Sequence, residues 1–154
     1  MTNALQAELK QTRPFPTRAS EAFVSILRTA AILDHQLGEA LRPCGLTPTQ
    51  HNVLRILRGA GPQGLCGREI AERMVARVPD VPRMLDRLET MRLIVRERDP
   101  GDRRHVTATI TPKGLALLNE AVPAVESVEK ARLGRLSDRT LLTLVEALAA
   151  VRGS

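Results

Sequence analysis

The chain has 154 residues, with 23 Lys and Arg against 17 Asp and Glu for a formal charge of +6, and it contains no Trp, no Tyr and only two Phe. A chain of this length with 43% apolar residues builds one domain that buries on the order of 70% of its unfolded surface, so disorder is excluded as the default. Two rings cannot furnish the stacking surfaces of single-strand binders, RNA-recognition sheets or aromatic cages. The pI near 10.6 leaves two explanations: a polyanionic partner whose neutralised phosphates release counterions, or a solvated basic surface. All the basic residues but Lys10, Lys113 and Lys130 are Arg, the better fork for phosphates and guanine edges, although codon bias in a GC-rich genome gives the same excess.

No run of 18 apolar residues occurs, so no membrane span is expected. The first 18 residues include Glu8 and no apolar stretch, which predicts a cytoplasmic protein without a signal peptide. Cys44 and Cys66 have neither a CxxC spacing nor clustered His. They read as small reduced thiols rather than a metal site, with a redox-sensing pair as the alternative.

Residues 1–18 read as a flexible arm, because Pro14 and Pro16 oppose a regular helix before about Thr17. From there to Leu41, Phe23, Ile26, Leu27, Ala30, Leu33, Leu37 and Leu41 recur at spacings of three and four, which predicts one amphipathic helix. Pro43 and Gly45 stop it. Thr47-Pro48-Thr49-Gln50 has the composition of a capping box with proline at the first helical position, opening a helix that carries Val53, Leu54 and Leu57 and ends at Gly59-Ala60-Gly61-Pro62. A short loop leads to a brief helix from Gly67 to about Val75, with Ile70, Ala71 and Met74 inward.

After a break near residues 76–79 the next helix runs to about Met91, with Pro79 and Pro82 in its first turn. Val81, Leu85 and Leu88 share one face, while Asp80, Arg83, Met84 and Arg87 are expected on the opposite, outer face. Leu93–Arg98 and Arg104–Ile110 then flank the turn sequence Asp99-Pro100-Gly101-Asp102 and should pair as a hairpin. Two short helices followed directly by an Arg-tipped hairpin make a winged helix-turn-helix.

Thr111-Pro112 repeats the cap-plus-proline start, and the helix it launches carries Pro123, which should bend or break it. Ser137 is an expected N-cap for a last helix through Leu141, Leu144, Val145, Leu148 and Val151. These terminal helices are long for a monomer, so their apolar stripes are expected to pack on a second copy.

Splitting the charge locates the basic character. Residues 1–67, 68–104 and 105–154 carry +3, +2 and +1, yet half of the arginines fall in 68–104. Placement, not net charge, singles out the winged helix. The acidic neighbours Asp80, Asp86, Glu89, Asp99 and Asp102 either brace those arginines or form solvated surface pairs.

Gly45-Leu46-Thr47-Pro48-Thr49-Gln50 followed by Val53-Leu54, then Arg83-Met84-Leu85-Asp86-Arg87-Leu88-Glu89, then Asp99-Pro100-Gly101-Asp102-Arg103-Arg104 and Ile110-Thr111-Pro112-Lys113-Gly114 resemble the MarR family of bacterial winged-helix transcription factors. The resemblance covers roughly residues 19–152. It implies a mainly α fold with a small β-hairpin wing, dimerisation helices at about 19–42 and 112–152, and a DNA-binding lobe at about 47–111. On the recognition helix it implies contacts from Arg83 and Arg87, and the outer-face reading adds Asp80 and Met84 as candidate DNA-binding residues. On the wing it implies Arg104 as the inserted arginine, beside Arg103, with Asp102 bracing the turn.

The partners so implied are double-stranded DNA, a second copy of the chain and a small aromatic or phenolic effector, with repression the usual outcome. His35, His51 and Arg55 are the candidate effector ligands; partly exposed helix positions are the alternative. The family often has a hydroxyl residue where Pro82 stands and glycine where Arg92 stands, so a left-handed backbone at 92 would strain Arg92. No nucleophile elbow, HExxH, phosphate loop or carboxylate pair occurs among the sequence motifs, so neither enzymatic activity nor a cofactor is expected. A protein-binding winged helix and a thiol-based sensor are the alternative functions.

Overall fold

The computed structural model describes residues 4–154. Its elements are α1 (Ala4–Glu8), α2 (Arg18–Leu41), α3 (Pro48–Ala60), β1 (Leu65–Cys66), α4 (Gly67–Arg73), α5 (Val81–Thr90), β2 (Ile94–Arg98), β3 (Val106–Ile110), α6 (Pro112–Leu133) and α7 (Asp138–Arg152). They form two compact units, the first closing at Gln36 and the second spanning Leu37–Ser154.

In the first unit, the expected absence of helix before Thr17 is overturned by α1. Proline opposes helix at its own turn and the residue before it, which leaves residues 4–8 untouched; the turn closes where Lys10 takes a left-handed backbone, φ 51°. Residues 1–3 of the expected arm lie outside the described residues. The apolar stripe of α2 stays largely uncovered, with Phe23 65% and Leu27 57% exposed.

The second unit contains the core. Thr47 caps α3 as its sequence predicts: Gln50 N donates to Thr47 Oγ1 at 3.2 Å and Thr47 N donates to Gln50 Oε1 at 3.0 Å. Val53, Leu54 and Leu57 of α3, Ile70 of α4, Leu88 of α5 and Leu118 of α6 are fully buried together. The helix-turn-helix formed by α4 and α5 is held to α3 by Asn52, whose Oδ1 accepts the Val75 N–H at 2.9 Å.

The expected hairpin forms with Ile94 opposite Ile110 and Arg98 opposite Val106. Beyond the hairpin, Leu65 and Cys66 pair with Ala108 and Thr107, giving a three-stranded antiparallel sheet ordered β1-β3-β2. Gly64 permits this third strand: φ is +64°, and a Cβ there would collide with the Ala108 carbonyl. Two residues are too short to carry an alternating pattern, so β1 reads from sequence as loop.

At the end of α5 the chain turns through Arg92, which has φ 61°. The Arg92 carbonyl accepts from Thr111 Oγ1 at 2.8 Å and the Met91 carbonyl from Lys113 Nζ at 2.9 Å. The first turn of α6 is thereby docked on the last turn of α5. Helix α6 continues unbroken through Pro123; the proline removes one bond, to the Asn119 carbonyl, from a helix with about ten residues on either side. Ser137 caps α7, accepting from Thr140 N at 3.3 Å. No residue of α7 is buried, and Leu142, Val145 and Val151 are 60%, 59% and 69% exposed.

Candidate nucleic-acid interface

Helix α5 starts at Asp80, whose Oδ1 accepts the Arg83 N–H at 3.0 Å. Its inner side carries Val81, Met84, Leu85 and Leu88, all buried. Met84 is a correction to the expected outer face: it is 8% exposed and part of the core. At about 100° per residue it lies roughly 60° from Val81 and about 40° beyond Leu88, at the edge of the inner arc opposite Leu85. A face read from Val81, Leu85 and Leu88 alone is drawn too narrow, and a flexible thioether fills its edge. Asp80, Arg83 and Arg87 remain exposed.

The wing turn is built by its own side chains. Asp99 Oδ1 accepts the Gly101 N–H at 2.7 Å, and Asp102 Oδ1 accepts the Arg104 N–H at 3.0 Å. His105 N donates to the Asp102 carbonyl and Asp99 N to the His105 carbonyl, both at 2.9 Å. Arg103 and Arg104 are therefore the two central residues of a β-turn that opens at Asp102, and both are exposed.

The open question about the acidic neighbours is answered at each position. Asp80 caps α5, Asp99 and Asp102 shape the wing, and Asp86 and Glu89 hold Arg96 of β2. Arg96 Nη2 lies 2.6 Å from both Asp86 Oδ1 and Glu89 Oε2. Its Nε donates to Glu89 Oε2 at 3.0 Å, and its backbone N–H donates to Glu89 Oε1 at 3.2 Å. The hydrogen bonds from Arg96 hold the Glu89 carboxyl below the usual carboxylate range. Sequence reading grouped these residues without pairing them, because Arg96 meets Glu89 only once the chain has turned through Arg92.

With those acids committed, Arg83, Arg87, Arg103 and Arg104 form no ion pair among the described residues. Arg83 and Arg87 are moreover one helical turn apart, where like charges repel by a few tenths of a kcal/mol.

The effector candidates separate. His51 and Arg55 line a cavity of about 210 Å³ with Arg58, Leu118, Val122, Val125, Glu126 and Glu129, between α3 and α6. His51 is 7% exposed, and burial first, then the charges of Arg55 and Arg58, lowers its pKa. His35 stands on α2 in the first unit. Cys44 and Cys66 are free, half-buried thiols, and Cys66 N donates to Glu69 Oε2 at 2.8 Å at the start of α4.

The MarR family model matches residues 46–106, from the start of α3 to the return strand of the wing. Over its whole fold the chain is 31% identical to a MarR transcription factor of known structure from Planctomyces limnophilus, covering 89% of this chain and 99% of that one with a TM-score of 0.69. The chain belongs to the MarR family.

Among curated relatives of this MarR protein, the transcriptional regulator HosA of Escherichia coli O111:H- is 35% identical over 92 residues, 60% of this chain and 67% of that protein. BpsR of Bordetella bronchiseptica, whose DNA binding is regulated by 6-hydroxynicotinic acid, shares the fold at 24% identity and a TM-score of 0.78, over 92% of this chain and 99% of that one. This MarR chain is accordingly a DNA-binding transcriptional regulator with the winged helix-turn-helix fold. No described helix is long and apolar enough to cross a membrane.

Proposed function

We propose that this MarR protein represses transcription as a homodimer on a pseudo-palindromic operator, reading two half-sites about one helical turn apart. Helix α5 enters the major groove with Asp80, Arg83 and Arg87 toward the base edges, while Met84 supports the helix from the core side. The wing reaches the adjacent minor groove with Arg104, flanked by Arg103 and set by Asp102; an arginine on a narrow tip suits the negative potential there. The second copy covers the exposed apolar stripes of α2, α6 and α7.

The observation that carries this reading is the set of four arginines outside any ion pair on one helix face and one turn, while Asp80, Asp86, Glu89, Asp99 and Asp102 are engaged in bracing the scaffold. A protein-binding winged helix has no need of that segregation, and a basic surface of chance origin would show arginines paired with those acids. The test is titration of a labelled duplex recovered from a random pool by the wild-type protein. Arg87→Ala should weaken binding by roughly 1–3 kcal/mol if the guanidinium reads a guanine, and equal binding would remove the assignment.

Release by a small aromatic or phenolic effector is supported by the cavity beside His51 and Arg55 and by the response of BpsR to 6-hydroxynicotinic acid. Such a ligand would meet aliphatic walls, two arginines, a neutral imidazole and the carboxylates of Glu126 and Glu129. Loss of operator binding on adding a hydroxylated aromatic acid, abolished by Arg55→Ala, is the expected result.

A further inference from the structure

We infer that Arg96 is a positioning residue for DNA reading: by clamping Asp86 and Glu89 of α5 to β2, it fixes the recognition helix and the wing as one rigid reader. The inference rests on the DNA-binding reading above and deepens it.

Apolar packing joins the bases of the two elements that read the duplex, with Leu85 and Leu88 of α5 in one core with Ile94 of β2 and Ala108 of β3, and polar contacts then fix their mutual direction. The chain joins them through three residues, of which Arg92 is left-handed, and among the described residues the hydrogen bonds at the wing tip lie within its own turn. Across this joint Arg96 makes four polar contacts to two carboxylates one helical turn apart, three from the guanidinium and one from its amide. A planar guanidinium fixes direction as well as distance. Around α5 Glu89 lies more than about 100° from Arg83 and Arg87, and Asp86 sits about 60° from Arg83 on the side toward β2; neither Arg83 nor Arg87 takes part in the clamp's hydrogen bonds. Arg96 itself is only 25% exposed and neutralised by two acids, which removes it as a phosphate contact. A displacement of about 1 Å in a positioned group can cost a hundredfold in a reaction, so rigidity at this joint sets how well both grooves are read at once.

The experiment is a double-mutant cycle between Arg96→Met and Arg104→Ala. It measures affinity for the selected duplex and for an unrelated duplex, with the salt dependence of each, on protein shown to be folded by its circular dichroism melt. Arg96→Met should weaken binding to the selected duplex about tenfold. Binding to the unrelated duplex and the salt slope should hold, since no phosphate contact is lost. In the Arg96→Met background Arg104→Ala should cost about tenfold less than in the wild type, a coupling of about 1.4 kcal/mol. Glu89→Gln, which breaks the clamp from the other side, should reproduce the effect, and Arg96→Lys should restore part of it.

Additive losses would overturn the inference, as would equal loss on both duplexes or a salt slope shallower by one contact for Arg96→Met. If wild-type protein selects no duplex, the DNA reading itself fails; if it does and the cycle is additive, only the clamp fails.

Discussion

Arg96 on β2 holds Glu89 on α5 through three hydrogen bonds, from its Nε and Nη2 to Oε2 at 3.0 and 2.6 Å and from its amide to Oε1 at 3.2 Å. The contact belongs to tertiary structure, not to either element alone, and it makes the carboxylate a contributor to stability with a definite pH signature.

Glu89 has its folded pKa below the unfolded value of 4.5, mainly through the Arg96 side chain. Its stabilisation is therefore complete above pH 4.5 and is lost as pH falls through the folded pKa. Glu89 is 39% exposed, and solvent screening keeps the effect to about 1 kcal/mol or less. Urea unfolding at pH 7 and pH 3.5 should show a smaller acid loss for Glu89→Gln than for the wild type. Identical acid losses would contradict the pairing.

His51 titrates in a different window. Burial, reinforced by Arg55 and Arg58, depresses its folded pKa below 6.5; the native state resists protonation, so stability present above pH 6.5 falls as pH drops through the folded value. His51→Gln should flatten the stability profile between pH 6.5 and the onset of carboxylate titration. An unchanged profile in that interval would mean that the imidazole is solvated in the native protein.

Arg92 takes a backbone that glycine adopts freely, and its side chain is exposed. Arg92→Gly should stabilise the fold by about 0.5–1 kcal/mol, the relief of the left-handed penalty less the extra unfolded entropy of glycine. Thermal unfolding should shift upward by roughly 2–4 °C. The opposite substitution in kind, Gly114→Ala, places a Cβ against the Leu93 carbonyl and the Ile110 side chain. It should destabilise by about 1–3 kcal/mol.

Much of this was legible in the chain. Thr47-Pro48-Thr49-Gln50, Thr111-Pro112 and Ser137 each start a helix where their side chains dictate, because capping is decided within four residues. The turn at Asp99-Pro100-Gly101-Asp102 was legible for the same reason, as was the exposure of Arg83 and Arg87. What escaped depends on residues distant in sequence. Strand β1 exists only because β3 offers it an edge, and Asn52 meets Val75 across the helix-turn-helix. Arg96 finds Asp86 and Glu89 only after the backbone reverses at Arg92. Met84 escaped by a few tens of degrees of helix phase, a margin that periodicity alone does not resolve.

The apolar surface of α7 gives a further expectation. Leu142 and Val145 are 60% and 59% exposed, and carboxylates introduced there would be buried without partners in a dimer. The double variant Leu142→Glu, Val145→Glu should raise the dimer dissociation constant roughly a hundredfold or more in sedimentation equilibrium. It should lose operator binding with it. A variant that remains dimeric would place the interface elsewhere.

The most direct test of the whole reading is selection of duplexes from a random pool by the wild-type protein, followed by sequencing. A homodimer that presents α5 and the wing in pairs should enrich an inverted repeat. Its half-sites should be centred about 10 bp apart, each with a guanine within reach of Arg87 and an A·T-rich flank under the wing. Recovery of a single asymmetric site, or no enrichment over the starting pool, would contradict a two-fold duplex reader.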